Sequence, residues 1–138
     1  MVIIKKYVLV LVLLLITLNA LAPSRQSLVI LETSPVKPYD RLIHAIGIVE
    51  TGGDTLSYNP VEEATGFFQI RPVRLADYNK RTGKDYKMKD LFSYRISEEI
   101  FLYYAKMMGP YNYEKIARGW NGSGKKTYLY WNRVKKYL

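Results

Sequence analysis

In the stretch HAIGIVETGGD, residues 44–54, an apolar series ends in a carboxylic acid. Glu50 lies four residues after Ile46 and seven after Ile43, so on a helix it extends their face. Gly52-Gly53 then stops the helix and leaves Glu50 in the last turn. Apolar packing and the negative end of the helix dipole both disfavour a charged carboxylate there. A carboxyl kept protonated near neutral pH is what general acid catalysis requires. The plainer alternative is a frayed helix end with Glu50 turned into solvent.

Two downstream stretches supply groups that such an acid could serve. In ATGFFQI, residues 64–70, Gly66 permits a close backbone approach. Phe67 and Phe68 precede Gln69, whose amide both donates and accepts and so suits a sugar hydroxyl or an amide in a cleft. In IARGWNGSG, residues 116–124, Trp120 and Asn121 stand at a predicted helix end. An aromatic face beside an amide is a common way to hold a sugar ring. Ordinary core packing and a simple turn are the competing explanations for both stretches. The candidate carboxylates near Glu50 in sequence are Asp54, Glu62, Glu63 and Asp77; Asp54, after the double glycine, is the candidate second carboxylate of the site. Glu62 and Glu63 fall in a predicted exposed turn. His44 is the only histidine and there is no cysteine, so no metal site is expected and no cofactor is implied.

The elements that must position these groups are mostly helical. Asp40 is the expected N-cap of a helix carrying Leu42, Ile43, Ile46 and Val49 on one face. Residues 55–70 read as a small hairpin or irregular lobe. Pro72 opens a helix through about Asn79, and residues 80–90 form a charged loop. Ser93 or Ser97 caps a longer helix with Ile100, Phe101, Tyr104, Met107 and Met108 inward, stopped by Gly109-Pro110. Tyr103, Tyr111 or Tyr113 could edge a cleft. Asn112 caps a short helix through Trp120, and Thr127 a last helix with Trp131, Val134 and Leu138 at helical spacing. The expected fold is mainly α with one small β lobe beside the Glu50 helix.

The first residues are of another kind. Lys5-Lys6, an apolar run from Tyr7 to Ile16 and the small residues before Pro23 follow the order of a secretory signal peptide. Residues 1–22 are therefore expected to direct export, with cleavage after Ala20 or Ala22; an uncleaved membrane anchor is the alternative. Residues 23–38 read as a linker, and residues 39–138 as one domain. An exported chain without cysteine must rely on packing, which suits a bacterial periplasm or cell envelope. The formal charge is +9, and +7 without Lys5 and Lys6. Nucleic acid, anionic lipid and the carboxylate-rich bacterial wall all fit that charge, as does a solvated surface with no specific partner. The basic NRVKKYL terminus is most simply a solvated helix.

Taken together, AIGIVETGGD, ATGFFQI and IARGWNGSG resemble, in order and spacing, the three motifs of the lysozyme-like soluble lytic transglycosylases. That family carries Glu-Ser near a helix end, then Gly-aliphatic-Met-Gln, then Ala-x-x-Tyr-Asn. The resemblance spans residues 39–138 and implies an α+β lysozyme-like fold acting on peptidoglycan glycan strands, without nucleic acid; the oligomeric state is left open, with a monomer favoured. Membrane contact is then expected only through an uncleaved N-terminal segment. It makes Glu50 the catalytic acid and later base. Asn59, Gly66, Phe67, Phe68, Gln69, Trp120 and Asn121 become substrate-binding positions. The implied reaction cleaves the MurNAc–GlcNAc bond to a 1,6-anhydro product; a water positioned by Asp54 would give hydrolysis instead, and a non-catalytic wall-binding protein could share the fold. Three departures stand out: Thr51 for Ser, Phe68 for Met, and Trp120 for the Tyr whose hydroxyl points at the active carboxyl. An indole donates but cannot accept a hydrogen bond.

Overall fold

A computed structural model describes residues 37–138, and the expectations for an export segment and for most of the linker lie outside that range. Five α-helices and one two-stranded hairpin make up the described chain, which is mainly helical. The domain begins slightly earlier than expected. The Lys37 carbonyl accepts from the Asp40 N–H, and the Tyr113 hydroxyl donates to the Pro38 carbonyl.

Helix α1, Asp40–Thr51, buries Leu42, Ile43, Ala45, Ile46 and Gly47. Its N-cap is Tyr39 rather than Asp40, which sits in the first turn where its charge suits the helix dipole. Gly52 ends the helix at φ 66°, a left-handed conformation that costs a glycine little. Its N–H donates to the Ile48 carbonyl, and Gly53 N–H to Gly47.

The lobe follows. β1, Tyr58–Asn59, pairs antiparallel with β2, Ala64–Thr65, Tyr58 opposite Thr65 and Asn59 opposite Ala64. Two-residue strands hold little alone, so the lobe depends on what its far end buries. Phe67 lies against Gly47 of α1, where a Cβ would fall 1.9 Å from the ring. Phe68 is wholly buried, stacks on Phe101 with centroids 4.6 Å apart, and meets Trp120 edge-on at 6.1 Å. Gly66 has φ 77° and passes so close to the Leu91 carbonyl that a Cβ would sit 2.1 Å from its oxygen. Thr51 Oγ1, in the place of the expected serine, donates to Gly47 O at 3.1 Å and reaches Phe67 O at 3.4 Å. The end of α1 and the end of the lobe are thereby one packed unit.

α2, Pro72–Thr82, runs a turn further than expected, to a left-handed Gly83. A short 3-10 helix, Met88–Phe92, begins in the charged loop, runs past its expected end and buries Leu91. α3, Tyr94–Met108, starts after Ser93; Ser97 is no cap but is buried and donates to the Leu91 carbonyl at 2.6 Å. Ile100, Phe101 and Tyr104 face inward as the spacing predicts, whereas Met107, in the last turn of the helix, is exposed. α4, Tyr113–Asn121, is capped by the Asn112 side chain, which accepts from Lys115 N–H at 2.9 Å. α5, Lys126–Val134, is followed by a 3-10 turn, Lys135–Tyr137. Thr127 is inside α5, buried, and donates to the Gly124 carbonyl at 2.7 Å. α5 packs on α4 and on α1, so Thr127, Tyr130 and Val134 face the core at helical spacing.

Candidate active site

Glu50 stands on the last turn of α1, where the lobe, α4 and α5 converge. It lines a cavity of about 330 Å³ with Glu62, Gln69, Arg71, Val73, Arg74, Trp120, Asn121 and Gly122. That volume suits a small-ligand cleft, typically about 300–1,000 Å³. A larger hollow of about 470 Å³ lies beyond Gly122, but its only carboxylate, Glu114, is paired with Arg118 at 3.2 Å. The acid-bearing cavity is therefore the better candidate.

Glu50 is half-buried by exposed area, yet protein packs densely around its carboxyl. Burial dominates and holds its pKa above the ordinary 4.5; the Tyr130 hydroxyl, then the cations of Arg133, Arg71 and Arg74, oppose the shift. Tyr130 Oη donates to Glu50 Oε1 at 2.7 Å. Burial, then the neighbouring carboxylate, push the Tyr130 hydroxyl far above its ordinary pKa, so it remains a neutral donor. Arg133 spends its guanidinium on the Val49 carbonyl at 2.9 Å, one of the orphan acceptors at the end of α1. The carboxyl is thus fixed from the α5 side and open to the cavity.

Of the positions singled out in the sequence, Glu50, Gln69, Trp120 and Asn121 share this cavity. Gln69 adopts φ 50°, unusual for a side-chain-bearing residue. Its Nε2 donates to Gly66 O at 3.1 Å and to Ser57 O at 3.4 Å. Among the described residues no donor reaches Oε1, which is left to accept from a ligand. Asn121 is exposed at the rim. Trp120 has a different part from the expected sugar platform. It is 5% exposed, donates Nε1–H to the Phe68 carbonyl at 3.2 Å, and has the Arg74 guanidinium 4.1 Å above its ring. Arg74 also donates to the Trp120 carbonyl at 2.9 Å. The indole is a wall, and the cation over it is the surface a ligand would meet.

The other expected binding positions do not line the cavity. Asn59 Oδ1 accepts from Val61 N–H at 3.0 Å and Glu62 N–H at 3.4 Å, so it closes the hairpin turn. Gly66, Phe67 and Phe68 are architectural, because the lobe needs them to seat on α1 and α3. Asp54 is not the second carboxylate here: it is exposed, off the cavity wall, and its Oδ1 accepts from Leu56 N–H at 2.8 Å. An aspartate following a glycine turn readily makes that local bond. Asp77 is engaged by Arg81 at 2.8 Å and Tyr104 at 2.7 Å. The carboxylate that joins Glu50 on the cavity wall is Glu62, exposed in a turn as the sequence predicts and bound by Arg71 at 2.9 Å. Tyr103 packs on Tyr78 and Tyr104, Tyr111 on Tyr39, and neither they nor Tyr113 line the cavity.

Sequence reasoning missed Tyr130, Arg133, Arg71, Arg74 and Glu62. One signal for Tyr130 was present: with Thr127 and Val134 it forms the buried face of α5, and a buried tyrosine hydroxyl seeks a polar partner. The arginines carry no such signal, since two cations near Pro72 read equally well as solvent-facing. No family model, curated protein or solved structure matches the chain.

Proposed function

We propose that the chain is a peptidoglycan lytic transglycosylase that cleaves the β-1,4 bond between N-acetylmuramic acid and N-acetylglucosamine. The observation that carries this is one buried carboxyl, Glu50, held by a neutral Tyr130 hydroxyl on the wall of a cavity whose other carboxylate is paired with Arg71. The motif order described above supplies the substrate class.

In the reaction, protonated Glu50 gives its proton to the glycosidic oxygen as the C1–O bond breaks and its electron pair passes to that oxygen. The resulting Glu50 carboxylate takes the proton of the muramic acid 6-hydroxyl as O6 attacks C1. A 1,6-anhydro ring closes, Glu50 is protonated again, and no water is consumed. Desolvation favours the acid form at the start. The Tyr130 hydrogen bond and the arginines ease the passage through the carboxylate. Gln69 Oε1 and the Asn121 amide face the substrate as hydrogen-bonding groups. On this proposal the protein is exported to the envelope of a bacterium and works as a monomer without a cofactor.

Glu62 on the same wall favours one second reading, a muramidase in which Glu62 directs a water to C1. The purified protein and its Glu50→Gln variant, incubated with peptidoglycan, separate these by product mass. Muropeptides lighter by one water than the hydrolysed forms are expected from the wild type, and about 10²- to 10⁴-fold less release from the variant. Hydrolysed muropeptides would establish the muramidase. Binding without release would leave a non-catalytic wall-binding protein.

A further inference from the structure

Charge is divided unevenly along the chain. All 12 acidic residues precede Lys115, while residues 115–138 hold seven of the 21 basic ones; that end alone accounts for +7 of the formal +9. In space most of this charge lies on the outer side of α5 and the 3-10 turn after it. Lys125, Lys126, Lys135 and Lys136 are exposed, and among the described residues none has a carboxylate within 4.0 Å. Lys125, Leu129, Asn132 and Lys136 follow one another at intervals of four, three and four residues, a single helical stripe opposite the buried Thr127, Tyr130 and Val134.

The stripe is not purely polar. Leu129 is 68% exposed, and Tyr128 and Tyr137 about half. Tyr128 is held under the Arg118 guanidinium at 3.6 Å, and Trp131, half-buried, lies under Lys135 at 5.8 Å. Unpaired cations would suit any polyanion, but an exposed leucine flanked by tyrosines gains nothing from a soluble one. A lipid interface takes both: apolar groups enter the headgroup boundary, aromatic rings with polar tips sit at its depth, and lysines meet the anionic headgroups. α5 has nine residues and cannot span a bilayer, so it would lie on the surface.

We propose that the outer face of α5 and the following turn is a docking surface for an anionic phospholipid bilayer. It is independent of the reaction proposed above, and it shares a helix with Tyr130, so docking would fix the direction in which the Glu50 cavity opens.

The test is co-sedimentation of the full chain with phosphatidylcholine vesicles containing or lacking phosphatidylglycerol. Because the apolar run near the N-terminus can itself bind lipid, two full-chain variants isolate the face. Reversing Lys125, Lys126, Lys135 and Lys136 to Glu should weaken binding to the anionic vesicles about tenfold or more. Leu129→Ser, at an exposed position that leaves folding intact, should weaken vesicle binding severalfold while leaving retention on heparin unchanged. Wild-type vesicle affinity in either variant would overturn the proposal. So would equal losses on heparin and vesicles for Leu129→Ser, which would mark a general polyanion site. Circular dichroism of each variant verifies that the fold survives.

Discussion

The two sides of Glu50 are built from different material. On one side the lobe offers a motif-like run, Gly66 to Gln69, of which only Gln69 reaches the cavity; the rest seats the lobe against α1, the Leu91 turn and α3. On the other side α5, outwardly a plain basic helix, supplies the hydroxyl that holds the carboxyl and the guanidinium that caps the end of α1. A motif can therefore mark where a site is without containing the groups that tune it. The lobe helps to shape the cavity, burial raises the pKa of the acid, and α5 supplies the hydroxyl and the cation that oppose the rise.

That division predicts opposite signatures for changes on the two sides, and Glu50 itself gives the largest effect. Glu50→Gln should lower glycan release by about 10²- to 10⁴-fold, the usual loss of a general acid. It should not destabilise the fold. The folded pKa of Glu50 is raised, so its stabilising protonation is complete below the unfolded pKa and is lost as pH rises through the folded value. Gln escapes that loss. The melting temperature of the variant minus that of the wild type should be near zero in acid and grow toward neutral pH.

The lobe side comes next. Gly66→Ala places a Cβ 2.1 Å from the Leu91 oxygen at a positive φ, and should cost about 3 kcal/mol. Phe68→Ala, which empties a fully buried site, should cost about 3–5 kcal/mol. In both, denaturant midpoints and activity should fall together, with no change in the pH dependence of whatever activity remains. A shifted pH profile with normal stability would break the comparison.

Tyr130→Phe should do the reverse. Losing a donor to a charged acceptor should cost about 10- to 100-fold in rate. Because that donor favours the carboxylate, its removal should carry the alkaline limb of the pH–rate profile upward.

The smallest effects sharpen the boundary of the site. Gln69→Ala should raise KM by up to about tenfold with little change in melting temperature. Asp54→Asn, whose oxygen still accepts from Leu56 N–H, should alter stability by no more than about 0.5 kcal/mol and leave the products as they are.

Much of the framework was legible in the sequence because it rests on periodicity and on chain-breaking residues. The spacing of Leu42, Ile43 and Ile46, the Gly52 stop, the Asn112 cap and the Pro72 start all act within a few residues, and all were found in place. Boundaries shifted where a tertiary contact competed with a local one. Ser97, a reasonable cap, is drawn into the core by the Leu91 carbonyl, and Thr127, inside α5, is buried where its hydroxyl accepts from Arg118 of α4. In the site, Glu50 could be picked out because its burial follows from its own helix. For Tyr130 the burial was legible but the partner was not, because its bond to Glu50 joins residues 80 apart. Asp54 was read as a second carboxylate although an aspartate after a glycine turn readily bonds its own backbone, as its oxygen does with Leu56 N–H. Glu62 was passed over because only the folded lobe brings its turn beside Arg71.

The claim on which the rest depends is that Glu50 is kept protonated by burial and works in that form. It is tested most directly by following the Glu50 carboxyl carbon by NMR against pH, using the Glu50→Gln spectrum to assign it, beside the pH–rate profile of the same protein. The account predicts a titration above the ordinary glutamate value of 4.5, coincident with the alkaline limb of activity and displaced upward in Tyr130→Phe. A Glu50 that titrates at or below that value, or an alkaline limb that does not move with it, would contradict the account.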